Sequence, residues 1–203
     1  MPAKNADLHG FAPDKADVVL ILIDVINALD FPESDALLAS ALPMADRIAY
    51  LKRLAKAAKV PVIYVNDNFG RWQSNLQEIV ERLCPEDDDY FVLKPKHSGC
   101  FSTTLDVLLE YLQAETLIIT GVSGNIYVLF TANDAYMRDF HLVVPSDCVA
   151  LNTDEENRRA LDQIAKVLKA DIRLSTELTF PFGPDPNVKP GPAPPSTEFA
   201  PTG

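Results

Sequence analysis

The sequence predicts an open α/β fold with a mostly parallel sheet of about six strands and helices on both faces, a Rossmann-like three-layer arrangement. Three observations carry this. Short apolar runs alternate with helical patterns along most of the chain. Several of those runs end abruptly in a polar or charged residue. With 203 residues, 47% of them hydrophobic, the chain can bury a sizeable core.

The apolar runs are Val18 to Ile23, Val60 to Val65, Tyr90 to Leu93, Thr116 to Thr120, His141 to Val144 and Ile172 to Leu174, each read as a strand. Between the first two, Pro43 sits where a helix can begin, and Ile48, Leu51, Leu54 and Ala55 then recur on one face. Ser74 with Gln77, Thr103 with Asp106 and Thr153 with Glu156 are capping signals ahead of three further helices. Ile126 to Phe130 could be a strand on propensity, but it continues through Thr-Ala-Asn-Asp-Ala-Tyr-Met-Arg without a turn signal, which favours a buried helix. Asp87-Asp88-Asp89 reads as a solvated loop.

The C-terminal piece differs in kind. Eight of the sixteen prolines follow Leu178, where backbone donors are lost and no apolar periodicity survives. Residues 1–178 are therefore read as one domain and 179–203 as a Pro-rich tail.

The net charge of −11 disfavours nucleic acid and anionic membrane surfaces, because both need a basic face. The longest wholly apolar run is too short to span a bilayer and the N-terminus lacks an apolar signal segment, so the expected compartment is the cytoplasm. Cys84, Cys100 and Cys148 form neither an even set nor a Cys-x-x-Cys pair, and free thiols are expected. No cofactor is expected.

Three residues are chemical candidates by position. Asp24 follows Val-Leu-Ile-Leu-Ile and should stand at the carboxyl end of a central strand, the side on which open α/β sheets place ligands; an aspartate there can equally cap a turn. Lys94 follows Tyr-Phe-Val-Leu and should emerge at another strand end, solvated or acting as a fixed cation beside a carboxylate. Tyr127 opens the apolar helix after Thr120-Gly121-Val122-Ser123-Gly124, the strand-turn-helix junction where oxyanion donors are placed.

In that order these segments resemble the isochorismatase-like superfamily of cysteine hydrolases. Leu22-Ile23-Asp24-Val25-Ile26-Asn27 is similar to the family's Asp-x-x-Asn segment. Lys94-Pro-Lys-His-Ser98 followed by Phe101-Ser102-Thr103-Thr104-Leu105 is similar to its Lys-x-x-x-Ser-Ala-Phe block, which favours Lys94 over Lys96. Val-Leu-Phe-Thr-Ala-x-Asp-Ala-Tyr-Met-Arg and Val-Val-Pro-Ser-Asp-Cys-Val-Ala extend the likeness, which covers nearly everything from Asp17 to Ser175. It implies an Asp-Lys-Cys triad with Asp24 as general acid or base, Lys94 as cation, and Tyr127 in the place of the cysteine. It also implies a cis peptide between Val122 and Ser123, and an oxyanion hole from the amides of Ser123 and Tyr127. Small-molecule substrates and a homo-oligomer follow from the same likeness.

Tyr127 departs from the pattern. A phenol with a reference pKa of about 10 is mostly protonated at neutral pH and is bulkier than a thiol. Cys100 stands where the family has a pocket-lining phenylalanine. Phe69, Arg71 and Trp72, on the loop after the second strand, are further pocket candidates, with Arg71 suited to a carboxylate. Asn66-Asp67-Asn68-Phe69 falls where nicotinamidase relatives place an Asp-x-His metal site, but Phe69 stands at the histidine position, so no metal is expected.

Three functions fit. One is a former cysteine hydrolase with weak or absent amidase (C–N hydrolase) activity, a pseudoenzyme in the limit. The second is a vinyl-ether hydrolase of the isochorismatase type with Asp24 as acid, for which Asp24 needs a raised pKa while Lys94 pushes the other way. The third is a hydrolase with a substitute nucleophile, Cys100 or Tyr127.

Overall fold

The computed structural model describes residues 15–26, 34–67 and 77–180. Among these residues six parallel strands form one sheet: β1 (Val18–Ile23), β2 (Val62–Asp67), β3 (Tyr90–Lys94), β4 (Thr116–Val122), β5 (His141–Val143) and β6 (Val149–Ala150). The order is β3-β2-β1-β4-β5, with β6 also pairing with β4. Among the described residues five α-helices accompany it: α1 (Ser34–Ala57), α2 (Gln77–Arg82), α3 (Leu105–Leu112), α4 (Leu129–Tyr136) and α5 (Asp154–Leu168). This is the open, mostly parallel α/β architecture that the alternating pattern predicts.

The central strand is apolar throughout because both its faces are covered. Val19, Ile21 and Ile23 enter a core with α3, α4 and α5, while Leu20 and Leu22 enter a second core with α1 and α2. The two cores are the two sides of the pleat, and the period of two along β1 sorts its side chains between them.

Three local expectations need correction. Helix α1 does not begin at Pro43 but runs through it. Proline there deprives the Ala39 carbonyl of its usual donor, and the helix tolerates this because Ala39 and Pro43 both lie on the exposed face. Leu37, Ala41, Met44, Ala45, Ile48 and Leu51 meanwhile continue one buried stripe across it. Ile172 to Leu174 is not a strand. The pairing falls one residue earlier, as a single bridge from Asp171 to Val143, and Leu174 is exposed; the sixth strand is Val149–Ala150 instead. The third concerns Asp89, whose side chain is buried rather than solvated and pairs with Lys52 and Lys56.

Thr153 caps α5 as its spacing with Glu156 predicts, accepting the Glu156 amide and donating to the Glu156 carboxylate. Thr103 accepts the Leu105 amide at the start of α3. The Ser74 signal lies outside the described residues. At the other end, Leu178 is buried and Phe180 packs against the α1 core.

Candidate active site

The strand order reverses direction between β1 and β4, the point at which open α/β sheets place ligands, at the carboxyl ends of the strands. Asp24 follows β1 directly and Lys94 ends β3. Gly121 lies opposite Ile23 in the β1–β4 register. Gly121 has φ +116°, and a Cβ there would stand 2.1 Å from the Ile23 carbonyl oxygen, so only glycine lets β4 approach β1 this closely. Immediately beyond, the Val122–Ser123 peptide is cis.

Asp24 is held from three sides. Its backbone is in the left-handed region at φ 51°, which a short polar side chain tolerates better than most. Its amide donates to the Val65 carbonyl at 3.0 Å, and its Oδ1 accepts the Asp67 amide at 2.9 Å. Its Oδ2 pairs with the Lys94 ammonium at 2.7 Å, and both side chains are almost completely buried, at 0% and 1% exposure. Burial pushes the Asp24 carboxyl up to about 6, with the attraction of Lys94 opposing it. Taking the carboxylate out of water therefore outweighs the cation beside it.

Tyr127 completes the group. Ser123 accepts the amides of Ile126 and Val128 at its carbonyl, opening the helix in a wide π turn, Gly124–Val128, that runs into α4. Tyr127 on this turn is half-buried, and the Lys94 ammonium stands over its ring, 4.0 Å from the centroid. Its phenol is raised above the ordinary value of 10, first by burial and then by the charges of Asp24 and Asp67. This shift disfavours the phenolate, the anionic form that would attack as a nucleophile.

Asp24, Lys94 and Tyr127 are brought together as one cluster. Cys100 is a buried side chain of the core that Tyr127 packs against; its electrostatic neighbours are Asp106, Arg138 and Asp134, and burial pushes its thiol up to about 12. That disfavours it as a substitute nucleophile, because the thiolate is the reactive form. Phe69, Arg71 and Trp72 lie outside the described residues. Among the described residues no cluster of ligating side chains could hold a metal, and no helix is long and apolar enough to cross a membrane.

Two neighbours were not visible in the sequence. His97, on the loop after Lys94, stands edge-on to Tyr127 at 5.5 Å and to Phe130 at 5.7 Å between ring centroids. The Asp67 amide, which fixes the Asp24 carboxylate, is a backbone group and leaves no signature in residue type.

The match to the isochorismatase domain spans residues 18–173. The chain belongs to the isochorismatase family. It is 40% identical over 176 residues to the uncharacterized isochorismatase family protein YaaI of Bacillus subtilis, covering 81% of this chain and 97% of that one. It is also 30% identical over 135 residues to enterobactin synthase component B of Escherichia coli, covering 58% of this chain and 47% of the larger protein. Among solved structures, N-carbamoylsarcosine amidase from Thermoplasma acidophilum superimposes with a TM-score of 0.68 at 24% identity, over 80% of this chain and 99% of that one. As an isochorismatase-family member the chain carries a hydrolase scaffold, and its structural neighbours include amidases and nicotinamidases.

Proposed function

We propose that this isochorismatase-family chain keeps the proton-transfer half of a hydrolase site, Asp24 with Lys94, and lacks the nucleophilic half. Its amidase activity is then weak or absent. What remains is acid-type hydrolysis of a small molecule that needs no acyl-enzyme, for which a vinyl ether of the isochorismate kind is the natural substrate. The observation that carries this is Tyr127 itself: a protonated phenol whose ring covers the Lys94 ammonium at 4.0 Å, at the position where family likeness implies a cysteine.

The chemistry follows from the protonation states. An amide needs a nucleophile to form a covalent acyl intermediate, and neither the Tyr127 phenol nor the Cys100 thiol supplies an anion at neutral pH. A vinyl ether needs a proton first. Asp24, with its carboxyl raised to about 6, holds a proton in a fraction of molecules at neutral pH and can deliver it to the terminal vinyl carbon. Water then adds to the oxocarbenium carbon and loses a proton, and the hemiketal collapses to a ketone and an alcohol. Lys94 keeps the resulting Asp24 carboxylate stabilised at 2.7 Å and ready for reprotonation.

The test is a panel of isochorismate, nicotinamide and N-carbamoylsarcosine, assayed with the wild type, Asp24→Asn and Tyr127→Cys. The wild type should hydrolyse isochorismate and leave both amides at background, and Asp24→Asn should lose roughly 100-fold or more of that rate, the scale of a missing general acid. Tyr127→Cys should gain reactivity toward iodoacetamide and amide hydrolysis, because it places a thiol beside Lys94 and clears the phenol. Wild-type turnover of an amide equal to that of Tyr127→Cys would overturn the proposal.

A further inference from the structure

The π turn, helix α4 and the turn that follows it present one polar stripe to the loop that follows Lys94. Tyr127, Thr131, Asp134 and Arg138 recur at i, i+4, i+7 and i+11, the spacing of a single helix face. Each of the last three engages the segment from Ser98 to Asp106. The Gly99 amide donates to Thr131 Oγ1 at 2.9 Å, and the Thr131 hydroxyl donates in turn to the Tyr127 carbonyl at 2.7 Å. One turn further on, the Ser98 hydroxyl donates to the Asp134 carboxylate while accepting the Cys100 amide at 3.1 Å. Another turn along, Arg138 donates to the Asp106 carboxylate at 2.9 Å and to the Asp134 carbonyl at 2.9 Å.

The Thr131 and Ser98 rungs are shielded, whereas the Arg138–Asp106 rung is exposed. Thr131 is 1% exposed and Ser98 6%, so water does not compete for their bonds. The fit is close as well: a Cβ on Gly99 would stand 3.0 Å from Val65 and 3.3 Å from the Thr131 methyl. A buried threonine that returns its proton to the carbonyl four residues back ordinarily serves only its own helix. Here the same oxygen also accepts an amide from the loop bearing Lys94 and His97. It therefore links the backbone of Tyr127 to the backbone five residues beyond Lys94.

We infer that Thr131 is a positioning residue for the site: through the Gly99 amide and the Tyr127 carbonyl it fixes the Tyr127 ring against the Lys94 ammonium, with the Ser98–Asp134 bond as a second rung. This rests on the cluster of Asp24, Lys94 and Tyr127 being the site, and not on which reaction it performs. The groups that face the Tyr127 side chain are Lys94 over its ring, His97 at its edge, and the Asp24 and Asp67 charges that act on its phenol. Freeing the ring from this place moves the phenol away from the two carboxylates and toward water, so its titration should fall toward the ordinary value.

The experiment uses the full chain with 13C-labelled tyrosine, whose ring signals report each phenol's titration, with Tyr127 assigned through Tyr127→Phe. Thr131→Val keeps the shape and removes both hydrogen bonds; Thr131→Ser keeps both. In Thr131→Val the Tyr127 midpoint should drop by about half a pH unit or more, while that of Tyr64, buried with its hydroxyl on the Leu83 carbonyl, stays in place. Thr131→Ser should restore the wild-type midpoint. Ser98→Ala, which removes the neighbouring rung, should shift Tyr127 in the same direction by less, and keeps the test open should Thr131→Val fold poorly. An unmoved Tyr127 midpoint in both Thr131→Val and Ser98→Ala, or a Thr131→Ser variant that behaves as the valine does, would overturn the assignment. No turnover is needed, so an inactive wild type would count against the proposed reaction and leave this result to stand or fall alone.

Discussion

Two buried lysines in this molecule, Lys52 and Lys94, are surrounded very differently. Lys52, on α1, pairs with Asp89 at 2.9 Å and Glu86 at 3.0 Å, donates to the Cys84 carbonyl at 2.9 Å and lies 5.3 Å from the Tyr64 ring centroid. Its partners overcome the cost of burial, and its pKa is raised. Lys94 has Asp24 at 2.7 Å and the face of Tyr127 at 4.0 Å. There burial dominates and the carboxylate partner is raised to about 6. One cluster surrounds its charge with acceptors and ties α1 to the segment before β3. The other leaves its carboxylate with two bonds and a proton affinity close to neutral pH. The contrast separates a structural ion pair from a chemical one: an acid group is made by withholding partners, not by supplying them.

The comparison can be broken most forcefully at Lys52. Lys52→Met should cost about 3 kcal/mol or more in urea unfolding, because it strands the buried Asp89 carboxylate with Lys56 alone, and it should leave the Asp24 titration untouched. Lys94→Met acts on the Asp24 titration instead. It removes the largest influence lowering the Asp24 pKa, so the carboxyl should climb above about 6 in a 13C NMR titration. An Asp24 midpoint that fell in this variant would contradict the electrostatic account.

A third test uses the sign of the linkage. Because the folded Asp24 is raised from its ordinary 3.8 to about 6, the native state binds more protons than the unfolded state between those values. The Asp24 contribution to stability therefore rises as pH falls from about 6 to 3.8 and is lost as pH rises through about 6. Urea midpoints across that window should show a component that disappears in Asp24→Asn. The smallest effect is expected at Glu86, whose side chain is 59% exposed: Glu86→Gln should cost less than about 0.5 kcal/mol, as for other solvent-screened pairs.

The sheet was legible in the sequence because its central strands are buried on both faces, so Val18–Ile23 stands out as an unbroken apolar run and Thr116 to Thr120 as a short one built on Leu117, Ile118 and Ile119. Pro43 misled because a proline on the exposed face of a long helix sacrifices only a solvated carbonyl, and residue type does not reveal which face it occupies. Asp89 misled for a related reason: three successive aspartates look alike in sequence, and only the fold turns one of them toward two lysines. Asp24, Lys94 and Tyr127 could be found because the first two mark strand ends and the third opens a helix. Thr131 could have been found as the residue one turn beyond Tyr127 on the same face. His97 could not, since its approach to Tyr127 depends on the path of a loop.

The most direct test of the central claim is the titration of the Asp24 carboxyl in the wild-type protein, followed by 13C NMR and assigned through Asp24→Asn. A midpoint near 6 is the predicted result: a buried carboxyl that carries a proton in part of the population at neutral pH and can give it up beside Lys94. A midpoint at or below the ordinary 3.8 would mean that the ion pair outweighs burial, that Asp24 is a permanently ionised partner of Lys94, and that the site cannot work as an acid.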